Sequence, residues 1–174
     1  MSEEYKISYP DIPYGSAILC EDIRQENNGK LLLIGAFSGD MLAHKPFPMK
    51  VPPLWLHASF SLPTAFLNKE CMLQIRVVDD SGTATELVDA AIPTNTDNFG
   101  GLSGAEIHAL ALTANIKLPP FDLVSESVLL VAVRVDNCIY PLRSINIRSA
   151  VADDAKPDAA KSAAPAPAPS APSA

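Results

Sequence analysis

Four absences bound what this 174-residue chain can do. No apolar run approaches the roughly eighteen residues of a membrane-spanning helix. The basic residues, 13 against 20 acidic ones, stand singly along the chain. Nucleic acid and anionic lipid both demand a clustered Lys/Arg footprint, so neither is an expected partner of a chain with net charge −7. The catalytic signatures are missing too. There is no GxSxG elbow, and Gly100-Gly101-Leu102-Ser103-Gly104 lacks the following Lys and the preceding buried strand of a phosphate loop. Finally, His44, His57 and His108 share no HxH or HExxH spacing, and Cys20, Cys71 and Cys138 form an odd set without metal-type spacing. No enzyme activity and no cofactor are expected. All three cysteines fall inside expected strands and read as buried free thiols, which are unreactive there. The opening MSEEYKISYPDIPYG has neither a basic n-region nor an apolar h-region, so a cytoplasmic, reduced location is expected.

What remains is a body with enough apolar material for one core, 48% hydrophobic and 19% charged. Period-two patterning runs through it. Residues 54–62 alternate Leu54, Leu56, Ala58, Phe60 and Leu62 with Trp55, His57, Ser59 and Ser61. Cys71, Leu73, Ile75 and Val77 line one side of residues 71–79, which end at the turn residues Asp79-Asp80-Ser81-Gly82. A more polar strand spans 83–92, and a Gly- and Asn-rich loop follows at 93–104. Residues 105–118 keep period two despite helical propensity, with Pro119-Pro120 closing the run. Residues 128–135 and 138–147 read as a hairpin turning at Asp136-Asn137.

Residues 17–37 read as a further hairpin around Asn27-Asn28-Gly29, residues that tolerate positive φ. The Pro-rich stretch 38–53, with Pro46, Pro48, Pro52 and Pro53, reads as an irregular crossing between sheets. The expected fold is an all-β antiparallel sandwich, immunoglobulin-like or similar, of about seven or eight strands. Its expected boundaries are an N-terminal arm at 1–15, the sandwich at 16–149 and a disordered Ala/Pro-rich tail at 150–174, whose composition cannot offset its ordering entropy.

The run Cys20-Glu21-Asp22-Ile23-Arg24, with Glu26, Gly29-Lys30 and Leu33-Ile34-Gly35, resembles a family of small uncharacterised bacterial proteins. Its members open with the pattern A-x-x-C-E-D-x-R-x-E-x-x-G-K. Val133, Asp136, Pro141 and Leu142 echo the family's later strand, turn and Pro-Leu pair, with Asp-Asn standing where Asp-Gly is usual. The resemblance implies a β-sandwich and no assigned activity.

Two groups of residues are candidates for an interaction surface. Glu21, Asp22, Arg24 and Glu26 crowd a strand end and its turn, where binding residues collect. The plainer account is turn architecture, with Arg24 paired to Glu21 or Glu26. Trp55 and His57 share the outward side of their strand and could anchor a sugar or a protein, or pack beneath the Pro-rich loop. Asp79, Asp80 and Asp136 could form a calcium site if the sandwich brings their turns to one end. The favoured reading is a non-catalytic module that binds a protein partner or itself, since the apolar strands at 30–37 and 128–135 exceed what one inner face needs. Carbohydrate or calcium binding is the alternative, and a hydrolase built on a fold-assembled His and carboxylate the least favoured.

Overall fold

The computed structural model describes residues 10–94 and 108–150. Twelve strands occur there. The seven long ones, of seven or more residues, are β1 (Tyr14–Cys20), β6 (Trp55–Pro63), β7 (Cys71–Asp79), β8 (Ala84–Ala91), β9 (Ala109–Lys117), β11 (Ser127–Val135) and β12 (Cys138–Ser149). Five short ones complete the set: β2 (Asp22–Gln25), β3 (Leu31–Ile34), β4 (Met41–Ala43), β5 (Met49–Val51) and β10 (Phe121–Leu123). One sheet has the order β1-β6-β9 and the other β4-β12-β11-β7-β8, with the ribbons β2-β3 and β5-β10 beside them. The architecture is that of an antiparallel β-sandwich with a single exception, the parallel pairing of β4 with β12.

Alternation explains the core. On β6, Leu56, Ala58, Phe60 and Leu62 are buried, as are Leu73, Ile75 and Val77 on β7 and Leu129, Val131 and Val133 on β11. Each fully buried Leu, Ile or Val contributes about 1.5–3 kcal/mol relative to an exposed one. Across the three-stranded sheet the inward rows alternate in size. Leu19, Leu56 and Ile116 form one row, Ala17, Ala58 and Ala114 the next, and Gly15, Phe60 and Leu112 the third. Gly15 is required in its row, because a Cβ there would stand 2.4 Å from the Ser59 carbonyl oxygen and 2.5 Å from Phe60 Cα. Backbone, unlike a flexible side chain, cannot step aside.

Four sequence expectations change here. β1 pairs along its whole length with β6, so the local hairpin is formed by β2 and β3. Bonds from Glu21 N–H to Ile34 O and from Phe37 N–H to Leu19 O, both 2.9 Å, nevertheless continue that hairpin down onto the end of β1. In its turn only Gly29 has positive φ, +82°, while Asn28 instead accepts the Lys30 N–H through its side chain. The Pro-rich stretch holds two short strands: β4, a Pro-free triplet, and β5, enclosed between Pro48 and Pro52, whose missing N–H ends the ladder. Cys138 is exposed because it is the first residue after the β11–β12 turn, whereas Cys20 and Cys71 are buried and burial raises both their thiol pKa values. The expected arm, tail and 93–104 loop fall largely outside the described residues.

Candidate functional site

Strand directions assign every turn to one of two ends. β6 and β7 join through the short 3₁₀ turn Thr64–Phe66 at one end, together with Asp136, whose N–H bonds the Glu70 carbonyl at 3.4 Å. The opposite end carries Asp79, paired across from Ser127, and the start of β6 at Trp55. Asp79-Asp80 and Asp136 are therefore separated by the length of β7, about 27 Å for its nine residues. The calcium arrangement that needs these turns together does not form. Asp79 instead builds its own turn: its Oδ1 accepts from Ser81 Oγ at 2.6 Å, Thr83 N–H at 2.8 Å and Ser81 N–H at 3.0 Å. The Ser81 hydroxyl, followed by the backbone N–H groups, lowers the Asp79 pKa.

The two candidate groups adjoin at the Trp55 end. Trp55 stands directly opposite Cys20, and Glu21 and Asp22 follow immediately. Glu21 lies over Gly35, which has φ +62°; a Cβ there would come within 2.7 Å of the Glu21 Cγ, Cδ and Oε2. Arg24 pairs with Asp22 at 3.0 Å, two residues away on the same side of β2, rather than with Glu21 or Glu26. That pair is largely exposed and contributes little stability. Glu26 accepts from the Asn28 side-chain amide at 3.1 Å.

On the outward side of β6, His57 and Trp55 are half-buried. His57 Nδ1 lies 2.7 Å from Asn115 Oδ1, which as an acceptor fixes the proton on Nδ1. Its partner at Nδ1 is an amide oxygen rather than a carboxylate. The Lys117 ammonium stands 6.0 Å from the Trp55 ring centroid, covering a face that a sugar would stack upon. Among the described residues no three His, Cys, Asp or Glu side chains converge as metal ligands, and no helix is long and apolar enough to cross a membrane.

The most unusual surface here is the edge of β3, part of the apolar run at 30–37 from which the expectation of an assembly module is drawn. Leu31 and Leu32 are 37% and 48% exposed, with Leu33 and Ile34 half-buried. Glu26 N–H bonds Lys30 O, so ladder alternation turns Leu32 and Ile34 toward β2 and leaves the N–H and C=O of Leu31 and Leu33 facing outward. Among the described residues no strand pairs with that edge. Its signal in the sequence was the apolar run itself.

These features define a β-sandwich in which, among the described residues, the apolar edge of β3 has no strand partner. The chain belongs to a family of unknown function (DUF6941), whose pattern matches residues 15–138. Neither the curated proteins nor the solved structures yield a match.

Proposed function

We propose that this protein is a non-catalytic, cytoplasmic assembly module of bacterial type, with an immunoglobulin-like sandwich as scaffold and the β2–β3 hairpin as contact element. The observation that carries this reading is the unpaired apolar edge of β3. Proteins commonly shield such edges with Pro, inward charges or a covering segment. Among the described residues this one has only Lys30 at its start.

A second copy of the chain is the best-fitting occupant. Antiparallel pairing of two β3 strands about a two-fold axis at Leu32 matches Leu31 of each copy to Leu33 of the other, so both outward backbone pairs are satisfied. The same register sets Lys30 of each copy near Ile34 of the other, beside the Glu21 carboxylate that covers Gly35. Opposite charges meet at both ends of the seam.

Absolute mass by light scattering, over a range of concentrations, tests this. The full chain is expected to form a two-copy species that Leu32→Glu converts to single copies while the circular dichroism spectrum stays unchanged. A chain that is single at all concentrations, or an oligomer indifferent to Leu32→Glu, overturns the reading.

A further inference from the structure

A cleft of about 500 Å³ opens between β8 and β10. This volume falls within the range of ligand sites. Its floor is apolar, formed by Val77, Leu87, Phe121 and Leu123. One wall is the free edge of β8, the terminal strand of the five-stranded sheet among the described residues. Asp79 N–H bonds Thr83 O, so alternation turns the backbone of Ala84 and Glu86 away from β7 and out along the sheet edge, where Glu86 borders the cleft. Its lining includes Asp79, Glu86 and Asp122 and no Lys, Arg or His. Asp79 is engaged in its turn, and Glu86 lies 3.8 Å from Arg76. Among the described residues Asp122 makes no ion pair, even with Lys50 directly across the β5–β10 ribbon.

We infer that this cleft receives an extended peptide segment with alternating apolar and basic side chains, which adds as a strand to the free edge of β8. Strand addition supplies main-chain bonds at Ala84 and Glu86, and the alternation of the guest sends every second side chain to the apolar floor. The remaining side chains meet the carboxylate rim of a protein whose net charge is −7. An anionic guest would find no counter-charge in the lining. The protein's own Ala-Pro segment at 163–174 is a poor strand for this purpose, because each Pro lacks the N–H the edge requires.

The test uses a fluorescein-labelled peptide of three Lys-Val repeats, its Glu-Val counterpart, and the full-length protein. Fluorescence anisotropy should report saturable binding of the Lys-Val peptide, with the Glu-Val peptide at least tenfold weaker. Asp122→Lys, an exposed substitution, should weaken the Lys-Val peptide about tenfold. Amide chemical-shift changes should centre on Ala84 and Glu86. Absence of Lys-Val binding, equal binding of both peptides, or indifference to Asp122→Lys overturns the inference. Shifts confined to residues 31–34 also overturn it, while leaving the hairpin reading intact. Binding seen only after the chain is shortened to end at Ser149 overturns it in favour of the protein's own tail as occupant.

Discussion

Glu21 and Gly35 interlock where the β2–β3 hairpin meets β1: the glycine has φ +62°, and the glutamate side chain fills the space a Cβ would need. Glu21 N–H also bonds Ile34 O at 2.9 Å, so the contact sits at the base of the projecting element. Gly35→Ala should cost about 1–2 kcal/mol from left-handed backbone alone, with a further loss from displacing Glu21. Chemical denaturation should show both parts. Glu21→Ala combined with Gly35→Ala should recover only the second.

The row Ala17, Ala58 and Ala114 sets three small side chains side by side across the three-stranded sheet. Ala58 is completely buried and flanked by Leu56 and Phe60 rows. Ala58→Leu should therefore destabilise by about 1–3 kcal/mol through overpacking, whereas Ser59→Leu, one residue along on the exposed side, should be nearly neutral. Thermal melts of the two variants decide this.

Thiol titration should distinguish the cysteines. Cys138 is exposed, while Cys20 and Cys71 are buried with raised thiol pKa values. The native protein should react with one equivalent of Ellman's reagent rapidly and with all three only after denaturation. Cys138→Ser should abolish the fast phase and leave the melting temperature unchanged.

Asp79 links the β7–β8 turn to pH. Hydrogen bonds from Ser81 and Thr83 hold its folded pKa below the ordinary carboxylate value. The associated stability is present above the unfolded carboxylate's pKa and is lost as pH falls through the depressed folded value. Asp79→Ala should lower the melting temperature at neutral pH, with the gap from the unaltered protein narrowing under strongly acidic conditions. Asp79→Asn, which keeps an Oδ1 acceptor, should show a smaller gap with little dependence on pH.

The long strands were legible because their cues are local. Leu54 to Leu62 alternate without interruption, Asp79-Asp80-Ser81-Gly82 supplies an acceptor and a positive-φ glycine, and Asp136 takes φ +52° at its two-residue turn. Partner choice was not local. Pairing of β1 with β6 rather than β3, and of β4 in parallel with β12, is decided by how rows of side chains fit across strands distant in sequence. The candidate residues followed the same division. Glu21, Asp22, Arg24 and Glu26 are neighbours in the chain, so their crowding could be read directly. Their proximity to Trp55 depends on the Cys20–Trp55 register, and the β3 edge and the β8–β10 cleft are defined by which strands do not meet.

The parallel ladder between β4 and β12 also sets an order in time. Asp40 accepts a 2.8 Å hydrogen bond from Asn146, 106 residues further along, and pairs with Arg148 at 3.1 Å. At translation speeds of about 5–20 residues per second, the first of these strands waits roughly 5–20 s for the other to be synthesised. Until then the five-stranded sheet has neither its β12 strand nor a place for β4. A ribosome that stops at residue 138, where the family pattern ends, would release a chain with β11 bare along one side, a substrate for chaperones and proteases rather than a shortened version of the same protein.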